Sequence, residues 1–153
     1  MEERRQFVKQ AVNRLFDYEE MGKRTLGVQW QNLTTAEQEE FVDLFQQFLS
    51  NSYESRFEEY SDEHVQYLGE RQKGDFAEVR TVLKSNKVQV PLDFRLLWKS
   101  GQWWAYDLVI DGISLVKNSR AQFTRIIQTS SYKGLREKLK TKTDLINDVV
   151  LAR

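Results

Sequence analysis

The chain has no cysteine, one histidine and one proline in 153 residues. Without cysteine there can be no disulfide, no thiol nucleophile and no cysteine metal site, and the redox compartment is left open. With His64 as the only imidazole, no zinc-ligand spacing exists. No phosphate loop or dinucleotide glycine pattern is present either. Lys plus Arg and Asp plus Glu both number 23, so the chain lacks the basic footprint that nucleic acid requires. No apolar run approaches the roughly 20 residues that span a bilayer, and the start MEERRQF has no signal-peptide core. The chain is therefore expected to be either cytoplasmic or what remains after removal of an export signal.

What the sequence does hold is apolar area. It is 40% hydrophobic and 12% aromatic, enough for a sizeable core in a single domain over 1–153. Charge is uneven along it. Glu37, Glu39, Glu40, Asp43, Glu54, Glu58, Glu59, Asp62 and Glu63 form an acidic stretch, and Lys133, Arg136, Lys138, Lys140 and Lys142 a basic one. Both are expected to be solvated helix faces.

The first half has helical periodicity. Phe7, Val8, Ala11, Val12, Leu15 and Phe16 share one helix face. Asp17, with Glu20 three residues on, predicts a short helix that Gly27 closes. Thr34 and Glu37 form a capping-box pattern, and Phe41, Leu44, Phe45, Phe48, Leu49, Tyr53, Phe57 and Tyr60 continue one apolar stripe. Near His64 the period falls to two. Val65, Tyr67 and the run Phe76–Leu83 predict two antiparallel strands around Lys73, Gly74 and Asp75. Val88, Val90, Leu92, Phe94, Leu96 and Trp98 then share a face opposite Gln89, Asp93 and Arg95. Pro91, inside this strand, predicts an edge position or a bulge. Ser100 and Gly101 turn the chain into a strand in which Trp104, Tyr106, Leu108 and Ile110 alternate. After Gly112 the strand is expected to continue or kink, with Asn118 capping a helix that faces inward through Phe123, Ile126 and Ile127. Ser131 is expected to cap another, with Tyr132, Leu135 and Leu139 inward, and Leu145, Ile146, Val149 and Val150 give a last amphipathic segment. The order predicts an α+β fold: N-terminal helices, a curved antiparallel sheet of about four to five strands, and C-terminal helices.

Catalytic candidates are few. His64 sits beside Asp62 and Glu63 at a strand start, where a surface imidazole is the expectation. Asp107 is the one carboxylate in an apolar strand, and strict alternation points it away from Tyr106 and Leu108, toward a structural pairing with Arg95. Apolar side chains in excess on facing elements are compatible with a dry core or with a lined pocket, which periodicity does not separate.

Gly101 to Phe123, with Trp103, Tyr106, Asp107, Gly112, Ser114, Leu115, Val116, Asn118, Arg120, Gln122 and Phe123, resembles the signature of the MlaC family, the periplasmic phospholipid-binding proteins also called toluene-tolerance auxiliary proteins. Phe16 and Asp17, then Leu26, Gly27 and Trp30, the stretch from Thr34 through Phe41 and Phe45 to Tyr53, Val79 to Thr81, and Val90 to Leu96 follow in family order. Three positions depart: Ser119 stands where an aromatic often precedes the arginine, Phe94 replaces a frequent tyrosine, and Trp104 takes a position more often charged. The resemblance implies an NTF2-like or cystatin-like fold enclosing an apolar pocket, and a monomeric periplasmic carrier with no cofactor, its bound phospholipid being cargo. It implies transfer between an inner-membrane complex of an MCE-domain protein with an ABC transporter and an outer-membrane lipoprotein–porin complex, and a mature chain truncated at its N-terminus. The expected lipid lining is Val79, Thr81 and Leu83; Val90, Leu92 and Phe94; Tyr106, Leu108 and Ile110; Val116, Phe123 and Ile127; and, on the helical side, Phe45, Leu49 and Tyr53. No catalytic or metal residue is expected. The alternatives are an isomerase or dehydratase with Asp107 or His64 as base, and a protein-interaction adaptor.

Overall fold

The computed structural model describes residues 14–57, 64–84 and 89–141, with side chains over 14–49, 64–84 and 89–140. The expected helix around Phe7 and Val12, the positions Tyr60 and Val88, and the segment from Leu145 to Val150 lie outside the described residues, as does the side chain of Tyr53. The chain divides into two compact units. One runs to Asp17 and again over Tyr53–Ser114, and the other comprises Tyr18–Ser52 and the residues from Leu115 onward.

The second unit is helical. Helix α1 (Tyr18–Leu26) places Glu19 and Glu20 in its first turn and Lys23 and Arg24 in its last, each sign complementing the nearer end of the helix dipole. Gly27 ends it with φ at 58°, a left-handed conformation that costs glycine little. A 3-10 helix over Gly27–Asn32 follows, an element too short to leave a periodic signal. Helix α2 (Thr35–Phe57) opens on the expected capping box. The Thr34 N–H donates to Glu37 Oε1 at 2.9 Å and the Glu37 N–H to Thr34 Oγ1 at 3.1 Å, so two N-terminal donors are satisfied reciprocally.

Helix α3 covers Leu115–Thr129 and α4 covers Tyr132–Thr141. Asn118 is therefore inside the first turn of α3, not its cap. Three residues of local polar pattern were outweighed by Leu115 and Val116, which are buried and already helical. Ser131 caps α4 as expected, its Oγ accepting the Gly134 N–H at 3.1 Å. The core of this unit is aromatic. Phe41, Phe45 and Phe48 on one face of α2 surround Phe123 of α3, with centroids 6.1, 6.5 and 6.3 Å from it in edge-to-face arrangements, the geometry favoured by ring quadrupoles. The acidic and basic stretches meet in part, through Arg136 and Glu40 at 3.5 Å.

Two predictions arise here. Ser119 is 0% exposed and its hydroxyl has no hydrogen-bond partner among the described residues. A buried unsatisfied hydroxyl costs about 1–3 kcal/mol, so Ser119→Ala is expected to raise stability by about 1 kcal/mol, read as a higher urea midpoint at unchanged slope. Tyr132 packs beside Phe41 and donates its hydroxyl to the Glu37 carbonyl at 3.2 Å. Burial, reinforced by Glu40 and Glu37 and opposed by Arg136, pushes its phenol from 10.0 up to about 12. The folded state thus favours the protonated phenol, and that contribution is whole below pH 10 and is lost as pH rises through about 12. Ultraviolet titration should show a late tyrosinate step, absent in Tyr132→Phe.

The first unit is a five-stranded antiparallel sheet in chain order: β1 (His64–Lys73), β2 (Phe76–Lys84), β3 (Gln89–Lys99), β4 (Gln102–Ile110) and β5 (Ile113–Ser114). Lys99 pairs with Gln102 across Ser100 and Gly101, whose φ angles are 54° and 83°. Ile110 pairs with Ile113 across Asp111 and Gly112, at 50° and 86°. Two consecutive positive φ values define the tight hairpin turn whose twist matches that of the strands. The chain therefore reverses at Gly112, where continuation or a kink was expected. Before α1, Phe16 bridges Ala105, the Asp17 N–H donates to the Ala105 carbonyl at 2.9 Å, and the Asp17 carboxylate pairs with the Lys99 ammonium.

Pro91 overturns the expected edge position, since β3 is flanked by β2 and β4. Its carbonyl accepts the Asp111 N–H at 2.8 Å. In an antiparallel strand both polar groups of one residue face the same neighbour. The missing N–H of Pro91 thus faces the turn beyond the last β3–β4 pair, Leu92 with Ile110, where no ladder bond is lost.

Candidate functional site

Strand register sorts the sheet into two faces. Residues directly opposite share a face, and the rows Val79–Phe94–Leu108 and Thr81–Leu92–Ile110 run across β2, β3 and β4. The pairs Leu83–Val90 and Ala77–Leu96 extend the same surface. The expected grouping of β2 and β3 residues with Leu108 and Ile110 is what the register produces. Thr81 brings the one polar side chain of these rows, and its hydroxyl donates to the Leu92 carbonyl at 2.7 Å. This leaves a broad aliphatic surface with its hydroxyl already satisfied. Most of these side chains are incompletely buried. Thr81 and Leu108 are closed off, while Val79, Leu83, Val90, Leu92, Phe94, Leu96 and Ile110 all keep part of their area open. Packed cores normally close such residues off.

Tyr106 is not on that face. The β3–β4 register slips between Arg95 and Leu96, so that Arg95 opposes Asp107, Leu96 opposes Ala105, and Tyr106 is the extra residue of a bulge. A bulge sets two side chains of one strand against one of its partner, and strict alternation fails there. The Tyr106 ring meets Phe76 at 6.1 Å and 82° on the polar face. It shares there, with Arg71, Lys73, Glu78 and Arg95, a shallow depression of about 450 Å³.

Asp107 also faces this side. It is 3% exposed, and Oδ2 lies 3.6 Å from the Arg95 guanidinium. Oδ2 also accepts the Ser114 hydroxyl, and Oδ1 accepts the Leu108 N–H at 2.8 Å. The pairing with Arg95 is the one expected, and Ser114 is a partner that sequence reasoning missed. Its signal was the Asp111–Gly112 turn, which reverses the chain and sets Ser114 against Val109. Two hydrogen bonds and a neighbouring guanidinium thus tie this carboxylate into the sheet, on the side away from the aliphatic rows. His64 is the first residue of β1 and exposed. Among the described residues, no group of three or more potential metal ligands is found.

The helical candidates are placed differently. Phe45, Leu49 and Phe123 have at most 1% of their area exposed, Val116 is buried, and Ile127 is half-buried. Phe45 and Phe123 belong to the aromatic cluster of the helical unit. The same periodicity that suggested a lining there reports a packed core.

The described residues thus give a meander sheet with one apolar face left partly open, joined in sequence to helices on either side. The family model for MlaC protein matches residues 1–141, and the chain belongs to that family. A curated relative, the intermembrane phospholipid transport system binding protein MlaC of Haemophilus influenzae, is 25% identical over 126 residues, which cover 78% of this chain and 58% of the relative. The chain thus spans somewhat more than half the length of that protein. The fold matches a solved phospholipid-binding protein from Ralstonia solanacearum, in complex with a phospholipid, with a TM-score of 0.81 at 24% identity, covering 92% of this chain and 80% of that one.

Proposed function

We propose that the chain is a periplasmic phospholipid carrier, and not an enzyme, that buries acyl chains against the apolar sheet face. The observation that carries this reading is that face: three strands of aliphatic and aromatic side chains, partly open, with the Thr81 hydroxyl turned back onto the backbone. Family membership supports it, as do the names of the two relatives. The contact set is Val79, Leu83, Val90, Leu92, Phe94 and Ile110, with Thr81 and Leu108 at its floor, and the packed Phe45, Leu49 and Phe123 act as scaffold. At roughly 0.8 kcal/mol per buried CH₂, a chain of about fifteen methylenes contributes on the order of 12 kcal/mol gross. That corresponds to about nanomolar affinity before ordering costs. Such a ligand leaves slowly, so delivery requires acceptors, here an inner-membrane MCE-domain and ABC transporter complex and an outer-membrane lipoprotein–porin complex.

Mass spectrometry of organic extracts from gently purified protein tests this. Diacyl phospholipid at near stoichiometric level, mixed in headgroup, is expected. Folded protein whose native mass spectra show only the bare chain would overturn the proposal.

A further inference from the structure

Three of the four tryptophans, Trp98, Trp103 and Trp104, flank the two-residue turn at Ser100 and Gly101. The β1–β2 turn lies beside it, because the Trp98 N–H donates to the Asp75 carbonyl at 2.8 Å, and this brings Phe76 to the same end of the sheet. Phe76 and Trp98 are 48% and 43% exposed. From this cluster we infer that the end of the sheet carrying these two turns docks on the interfacial zone of a phospholipid bilayer.

The rings are distributed around the tip, and this selects the occupant. Trp98 and Trp103 oppose each other on one face, 5.4 Å apart at 70°. Trp104 opposes Leu97, which opposes Phe76, on the other face. A protein groove would engage one face of a hairpin, whereas a tip with rings on both sides is shaped to be surrounded, as headgroups and glycerol would surround it. Indole suits that zone because its body is apolar and its N–H polar. The Trp104 N–H already donates to the Lys99 carbonyl at 3.1 Å, so this ring can leave water without stranding a donor. Ser100 and Gly101 at the apex add no bulk that would hold the rings off. Lys73, exposed and without an ion pair among the described residues, supplies a cation for lipid phosphate. Asp75 beside it limits the net attraction, so the aromatic rings dominate and zwitterionic lipid suffices. The inference stands on these hairpin residues and does not require that the sheet face hold lipid.

The test uses the full chain with Trp30→Phe, which leaves the three tip tryptophans as the only indoles. Vesicles of phosphatidylcholine, and of phosphatidylethanolamine with phosphatidylglycerol, are added. Tryptophan emission should shift to shorter wavelength, be quenched by phosphatidylcholine brominated near the headgroup, and the protein should float with the vesicles. Trp98→Ser combined with Trp104→Ser should lower the partition coefficient about tenfold. Ser100→Asp, which leaves every ring in place and suits the φ of 54° found there, should move it the same way. Thermal melts confirm folding of each variant, and bound lipid measured on the same samples separates this surface from the proposed carrier site. The inference is overturned if neither vesicle shifts the emission or floats the protein, or if folded double variant and Ser100→Asp both float as the parent does.

Discussion

Phe94→Asp yields a folded chain that has lost its phospholipid. Phe94 is the middle of the row Val79–Phe94–Leu108 and is half-buried. A carboxylate there keeps contact with water, so the cost to folding is modest, but any hydrocarbon laid across the row would have to desolvate it. Stripping hydration from an unpaired carboxylate costs several kcal/mol, comparable with the burial energy of about five methylenes. Leu108→Asp makes the contrast. Leu108 is 5% exposed, so the same charge is forced into the floor and the domain should unfold or melt far lower. Extracted lipid and melting curves on both variants decide the matter. Phe94→Asp protein that melts cooperatively and remains fully loaded would remove this face from the binding site.

Asp107→Ala should produce the largest loss of stability among polar substitutions in the sheet. The change removes the carboxylate that accepts from the Ser114 hydroxyl and the Leu108 N–H, and leaves Arg95 with Glu78 at 4.0 Å as its carboxylate contact among the described residues. Removing a buried carboxylate that accepts two hydrogen bonds costs about 3 kcal/mol, equivalent to a fall in Tm of roughly 10 °C in a chain of this length. Asp107→Asn keeps an acceptor and should recover part of it. Both variants should retain lipid, because the carboxylate is on the opposite side from the proposed contact set. An unchanged Tm in Asp107→Ala would show that the pairing contributes nothing to folding.

The elements most legible in the sequence were those whose signal is local. The Thr34 and Glu37 capping box, the Ser131 cap and the two-residue turn at Ser100 and Gly101 are each specified by adjacent residues and are found as expected. The period-two runs of β2 and β3 correctly put Val79, Thr81, Leu92 and Phe94 on one face. Tyr106 was misplaced because alternation has no term for an inserted residue, and a bulge is visible only once the partner strand is known. Pro91 was misread for a related reason: its missing donor is harmless when β4 ends one residue short of it. Asp111–Gly112 did carry a hairpin signal, yet β5 is two residues long and too brief to show any period. On the helical side, Phe45 and Phe123 have the same spacing whether they line a cavity or fill a core, and only their burial tells which.

The order of the strands has a kinetic consequence. Each strand pairs with the one before it, and three of the four connections are two-residue hairpins, at Gly74–Asp75, Ser100–Gly101 and Asp111–Gly112. The loops closed in forming each ladder are short, so little chain entropy must be surrendered before cross-strand contacts begin to compensate. A hairpin of this kind forms in about 1–10 μs, and the meander can zip from any of its three turns. Its folding should therefore be fast for a sheet protein, since no ladder waits on the arrival of a distant segment. The apolar strands of the sheet thus spend little time unpaired during folding.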